Sequence, residues 1–238
     1  MKNIMKYFFN LLLTLVLTFG YSQEEKINYL ELMDKCLYIE YANLRMDIYK
    51  KDKVVKFYDM ISYRVGEKMR LEFVEPATER GRKMLNDESN LWMYLPRTSR
   101  VMRLPLKQSF MGSDASNRDL MRMSYQRDYD IIKIEETTEE VILILKAKDL
   151  TVSYNKVVLR INKDKMSPVK QEMFSLSNKL LKTIVYENHI VLDDIGFPTT
   201  YTIVDNLLND SKTIMQYSNA KRKNNIAKEF FTLGSIRR

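Results

Sequence analysis

From Ala42 onward the chain keeps a two-residue apolar period almost to its end, and this constrains the fold more than any other feature. Ala42, Leu44, Met46 and Ile48 alternate with Asn43, Arg45, Asp47 and Tyr49. After the charged turn Lys50-Lys51-Asp52-Lys53, Val55, Phe57 and Ile61 continue on a second strand, and Gly66-Glu67 turns the chain into Met69, Leu71 and Phe73. Successive side chains on a strand point to opposite faces, so such segments have one wet and one dry face, the mark of an antiparallel meander. The pattern resumes in residues 130–136 and 141–147, a hairpin about Thr137-Thr138-Glu139-Glu140, and again at Val157, Leu159 and Ile161. Residues 168–176, 179–188, 199–205 and 212–217 add further strands.

Helix enters the pattern only twice. In residues 24–36, Ile27, Leu30, Met33 and Leu37 recur at three- and four-residue spacing, which predicts a helix. Residues 116–120 read as one helical turn. About eleven antiparallel strands do not stay flat: twist curls them into a barrel or an incomplete one. The early helix then covers the concave face. The expected class is mainly β with some α. No internal repeat or Gly/Ser linker marks a boundary, so residues 23–238 are expected to form one domain.

The first 22 residues stand apart. Lys2 and Lys6 precede the largely apolar run 7–19, and Gly20 and Ser22 put small residues at −3 and −1 of a cut before Gln23. That is the layout of a secretory signal peptide, the alternative being an uncleaved anchor. Export to the periplasm follows, as a soluble monomer. Without Lys2 and Lys6 the net charge falls from +8 to +6. A basic exported protein meets anionic membrane surfaces and acidic partners more readily than nucleic acid.

Enzyme signatures are missing one after another. Six glycines leave no phosphate-cradling loop, and no Gly-x-Ser-x-Gly elbow occurs. A single histidine, His189, removes most zinc sites and stands far from the single cysteine. Cys36 reads as a small buried hydrophobe. The acid pairs Glu135-Glu136, Glu139-Glu140 and Asp193-Asp194 fall in expected turns, as solvated charge. The reading is of a binding protein with no catalytic residue, metal or cofactor.

Residues 79–120 interrupt the meander. They hold the only tryptophan, Trp92, with breaks at Pro96, Pro105 and Met111-Gly112, and short strands at 91–95 and 100–104. Seven basic residues lie between Arg97 and Arg127 against two acids, Asp114 and Asp119. Apolar, aromatic and cationic groups alternate at short range, as in a segment that lines something. Phe73, Trp92, Tyr94, Phe110 and Met111 are the candidate lining of a hydrophobic cavity, with a core pair as the other reading of Trp92 and Tyr94. Arg97, Arg100, Arg103 and Lys107 are candidate headgroup or partner contacts, or a solvated face. The 15 methionines suit either a cavity for varied alkyl chains or an ordinary core.

From just before this stretch to its end, Pro76, Arg80-Gly81-Arg82, Leu91-Trp92-Met93-Tyr94-Leu95-Pro96, Ser109-Phe110-Met111-Gly112-Ser113-Asp114 and Asp119-Leu120 follow one another in a telling order. The chain resembles the outer-membrane lipoprotein-sorting proteins, the LolA/LolB-like periplasmic carriers. The motif residues are Arg80, Gly81, Pro96, Gly112, Ser113, Asp114 and Asp119. The chain departs from that pattern at Ala115-Ser116-Asn117, where members often carry an aromatic. The resemblance implies an unclosed antiparallel half-barrel of about eleven strands, with helices lidding a hydrophobic cavity. It also implies a lipid or acylated-protein ligand handed passively between membranes or to a partner. The alternative it offers is a sensor or accessory subunit of an inner-membrane lipid-export transporter.

Overall fold

The computed structural model describes residues 27–121, 124–208 and 210–237. The signal peptide expected over 1–22 lies outside them.

Thirteen antiparallel strands form one sheet, in the order β6-β5-β4-β3-β2-β1-β13-β12-β11-β10-β9-β8-β7. They are β1 Tyr41–Lys50, β2 Lys53–Val65, β3 Lys68–Glu75, β4 Lys83–Asn86, β5 Leu91–Leu95, β6 Arg100–Leu104 and β7 Tyr129–Glu136. The rest are β8 Glu140–Ala147, β9 Lys156–Asn162, β10 Ser167–Phe174, β11 Leu180–Leu192, β12 Ile195–Asp205 and β13 Ser211–Lys221. The first and last strands meet at the centre, β1 on β13, and each arm then runs outward by short hairpins. The free edges are β6 and β7, which follow one another in the chain but do not pair. The sheet is therefore an open half-barrel, and residues 105–128 must cross from one edge to the other. That crossing builds the site.

Short hairpins follow from local chemistry. Lys51-Asp52 and Asp193-Asp194 both take positive φ at each residue, the geometry of tight two-residue turns that match strand twist. Strand alternation is clear in β1, where Ala42, Leu44, Met46 and Ile48 are buried. In β2 the face differs from the sequence reading. Tyr58, Met60 and Ser62 face inward, while Val55 and Phe57 are exposed. A shift of register between Ile48 and Tyr49 accompanies the change of face. The strand beyond the expected pattern is β4. Its four residues are too few to show a period, and Met84, Leu85 and Asn86 are all buried because both faces of the sheet are covered there. Glu135 and Glu136 are the last residues of β7 and Glu140 opens β8, whereas Asp193-Asp194 is a turn as expected.

The main core fills the concave face with Leu44, Met46, Met60, Leu71, Met84, Leu143, Leu159 and Met215, among others. Burial of such side chains stabilises by about 1.5–3 kcal/mol each. On the convex face Leu85 packs with Phe231 and Ile236 of the C-terminal tail. Arg70, almost fully buried, donates to the Phe230 carbonyl at 3.0 Å and lies 4.0 Å from its ring. Two buried apolar residues and this arginine hold the basic tail in place.

Candidate functional site

Three short helices cover the concave face. Helix α1, Tyr29–Cys36, is shorter than the expected 24–36; residues 24–26 lie outside the described residues. Asn28 caps it, its Oδ1 accepting from the Glu31 N–H at 3.3 Å, and Met33 and Cys36 point into the core. The crossing segment supplies α2, Asn117–Met121, and α3, Tyr125–Asp128. Asp34 of α1 binds α3, accepting from the Tyr125 N–H at 2.7 Å, the Gln126 N–H at 3.1 Å and the Ser124 hydroxyl at 2.8 Å. Just past Asp34, at the C-terminal end of α1, Arg222 donates to the carbonyls of Tyr38 (2.7 Å), Leu192 (2.8 Å) and Ile195 (3.2 Å), and also to Lys35. Burial lowers the pKa of its guanidinium. Hydrogen bonds to charged groups contribute about 1.5–3 kcal/mol each, so the cover is held by polar fastenings over an apolar face.

Beneath it lies a cavity of about 90 Å³. Leu37, Ile39, Leu120 and Met121 line it from the cover, with Ile184, Tyr186, Tyr201, Ile203, Met215 and Tyr217 from β11, β12 and β13. Tyr186 and Tyr201 meet edge to face at 5.0 Å, and Tyr201 lies 5.0 Å from Tyr217. Tyr186 donates to Gln171 Oε1 at 2.8 Å, and Tyr125 donates to the same oxygen. Burial raises the pKa of all four tyrosines, so the hydroxyls stay neutral. Arg64 also reaches the cavity. Its Nε donates to the Gly66 carbonyl at 2.9 Å, and burial lowers its pKa. At about 90 Å³ the cavity is well below the roughly 300–1,000 Å³ of ordinary ligand pockets, so an acyl chain enters only if the cover moves. A second, more open hollow of about 280 Å³ lies between the crossing segment and β4–β6, lined by Met84, Met93, Leu104 and Met111.

The expected site residues separate into three groups. Phe73 and Phe110 are buried together in the main core, stacked at 6.4 Å, and Met111 borders the second hollow. Trp92 and Tyr94 lie on the other face of the sheet. They alternate with the inward Leu91 and Met93, pack near Phe231 and Ile236, and Trp92 donates to Asp87 at 2.7 Å. Arg97, Arg100, Arg103 and Lys107 are exposed, and none forms an ion pair among the described residues. Arg100 and Arg103 sit on edge strand β6, where charge discourages pairing with another chain.

Among the motif residues, Asp114 and Asp119 fasten the crossing segment. Asp114, 3% exposed, accepts from the hydroxyls of Ser211 (2.5 Å) and Thr213 (2.7 Å) on β13. Asp119 accepts from the Ser116 N–H at 2.7 Å, Lys182 Nζ at 2.8 Å and Tyr154 OH at 2.8 Å. Ser113 hydrogen-bonds within the loop, its N–H donating to the Phe110 carbonyl at 2.9 Å. Gly112 has φ +81° and Gly81 φ +80°, left-handed values that glycine adopts without strain. The Gly81 N–H donates to the Phe73 carbonyl at 3.0 Å, Arg80 bridges to Glu75, and Pro96 starts a turn of 3₁₀ helix between β5 and β6.

Sequence reasoning missed Asp34, Arg64, Arg222 and the tyrosines. Tyr186, Tyr201 and Tyr217 share the buried period of their strands, so their facing was legible. That they share one cavity depends on strand order. Cys36 is buried as expected, its Sγ donating to the Met166 carbonyl at 3.2 Å and its pKa pushed up to about 11 by burial. His189 is elsewhere, against the Pro168 carbonyl at 2.9 Å.

Three crystal structures share this architecture. A LolA superfamily protein from Nitrosomonas europaea is 28% identical, with a TM-score of 0.74 over 87% of this chain and 96% of that one. A DUF1329 family protein from Desulfovibrio piger is 21% identical, with a TM-score of 0.73 over 88% and 96%. An outer membrane lipoprotein-sorting protein domain from Vibrio parahaemolyticus is 22% identical, with a TM-score of 0.70 over 83% and 91%. No curated protein matches the sequence. Residues 66–238, well over half of the chain, match a family model described as "Uncharacterized protein". The chain thus belongs to the family whose model spans residues 66–238, and it has the fold of the LolA superfamily.

Proposed function

We propose that this protein is a passive periplasmic carrier of acyl chains. In this reading residues 1–22 direct export and are removed, and residues 23–238 act as one lipid-binding domain. The observation that carries it is the covered apolar concave face, where a small cavity lies under helices fastened by Asp34 and Arg222. An apolar sheet face under a detachable cover suits a ligand whose binding energy comes from alkyl burial, about 0.8 kcal/mol per CH₂. The cover shields that face when no cargo is present and yields when a chain replaces it. Binding needs no catalytic group, and handover runs downhill to an acceptor of higher affinity. Acylated protein is the cargo class that the likeness to a lipoprotein-sorting protein domain favours.

The test is mass spectrometry of lipid retained by protein gently purified from the cell envelope, with displacement of a fluorescent fatty acid as the second measurement. Retained acylated species and saturable displacement are expected, together with a mature N-terminus at Gln23. Trp92 fluorescence should stay unchanged on loading, because that indole packs on the convex face. A protein that retains no lipid and takes up no acyl probe would overturn the reading.

A further inference from the structure

Of the connections at one end of the sheet, four lie side by side from β1 to β9. Lys50 pairs with Ser211, which sets the β1–β2 turn beside the β12–β13 turn. Lys182 pairs with Asp205, and Phe174 with both Leu180 and Lys156, so the β10–β11 turn and the β8–β9 loop follow on the same rim. Each connection, or the strand start beside it, shows large apolar side chains to water: Val54 and Val55 at the start of β2 are 48% and 49% exposed, Leu207 and Leu208 51% and 55%, Leu176 74% and Leu150 81%. Turn positions favour Gly, Asn, Asp, Pro and Ser, so folding of the hairpins does not call for leucine there. Isolated exposed apolar residues are ordinary, but six along one rim are not scatter. The turns at the other end read Gly66-Glu67, Thr137-Thr138-Glu139, Lys163-Asp164-Lys165 and Asp193-Asp194. Toward that end Ile190 and Val191 on β11, and Ile132 and Ile134 on β7, are comparably exposed, but none of them lies in a turn.

The charge on the apolar rim is net positive. Lys50, Lys51, Lys53 and Lys179 are exposed, and none forms an ion pair among the described residues. Of the acids nearby, Asp52 pairs with Lys212, while Asp149, bonded to the Thr151 N–H and hydroxyl, Asp205, bonded to the Leu207 N–H, and Asp210 are outnumbered by these four lysines. Leu207 and Leu208 also border hollows beside Ser113 and Asp114, so the rim is continuous with the fastened end of the crossing segment.

We propose that this rim, Val54, Val55, Leu150, Leu176, Leu207 and Leu208 with Lys50, Lys51, Lys53 and Lys179, docks the protein on an anionic bilayer surface. The leucines and valines enter the interfacial layer, and the lysine ammoniums meet the anionic headgroups. The docking stands whether or not an acyl chain occupies the concave face. It presents the crossing segment, and the hollows beside it, to the membrane.

The test is flotation of the exported protein with phosphatidylcholine vesicles, and with vesicles in which phosphatidylglycerol replaces about a third of the lipid. The wild type should float with the anionic vesicles and not the neutral ones, and raised salt should release it. Leu150→Asp with Leu176→Asp, and separately Leu207→Asp with Leu208→Asp, should lower partitioning about tenfold or more while melting temperature holds. Lys51→Glu with Lys53→Glu should weaken it at low salt and supplies the test if a leucine variant fails to fold. Val191→Asp, at the opposite end, should bind as wild type does. The proposal is overturned if the wild type does not float with anionic vesicles, if the rim variants float equally well, or if Val191→Asp is equally impaired.

Discussion

Asp128 shows how single residues hold the cover in place. Its carboxylate, 6% exposed, accepts from Arg118 at 3.1 Å and from Arg127 at 2.8 Å. Burial pushes its pKa up, but hydrogen bonds from Arg127 and Arg118 outweigh it and hold the carboxyl below its ordinary value. The folded-state pKa is thus lower than the unfolded one. Its contribution is complete above the unfolded value of about 3.9 and is lost as pH falls through the folded value. Asp128→Asn should lower stability at pH 7 by about 3 kcal/mol, since two arginines lose a buried partner. Thermal melts across the acid range should show the gap to wild type closing below about pH 4. A gap that stays constant down to about pH 2 would exclude this account.

At the scale of elements, the crossing segment is the distinctive part, and Asp114 is its fastening to the sheet's centre. Asp114→Ala removes the acceptor for the Ser211 and Thr213 hydroxyls and leaves buried donors unpaired. A loss of about 3 kcal/mol is expected. Hydrogen exchange measures it. Protection should fall in residues 105–121 much more than in β8 or β9, whose ladders do not touch this loop. An evenly spread loss would mean that the segment is part of one cooperative core. The same logic explains why the motif was visible before its role was. Gly112, Asp114 and Asp119 look like site residues in a linear reading because glycine and acid punctuate an apolar run. Their partners Lys182, Ser211 and Thr213 lie 63 to 99 positions away.

Taken whole, the molecule is a half-barrel shut over a cavity too small for its proposed ligand. Uptake must pass through an opened form in which α1 or α3 leaves the face, at the expense of the Asp34 or Arg222 contacts. The observed rate of acyl-probe binding should therefore level off as probe concentration rises, at the rate of opening. Arg222→Ala should raise that plateau several-fold, because each 1.4 kcal/mol removed from the closed form is worth about tenfold in the opening equilibrium. Stopped-flow mixing reads this directly. A rate that climbs linearly without a plateau would show a face already open.

The sequence by itself determined the class of fold, because a two-residue apolar period admits only strands with one dry face, and many such strands in succession must curl. It determined the early helix and the buried Cys36 in the same way, from local spacing and residue type. What tertiary structure alone decided was facing and neighbourhood. The register shift beside Ile48 reversed the expected face of β2, and coverage of both sheet faces hid β4 from any pattern. Trp92 and Tyr94 were legible as a pair on one face, but which face met the core depended on where the C-terminal tail docked. The cavity residues come from strands far apart in sequence and meet because β1 pairs with β13, so that both arms curve around one hollow. Local periodicity carries the strand and its two faces; only long-range pairing says what each face meets.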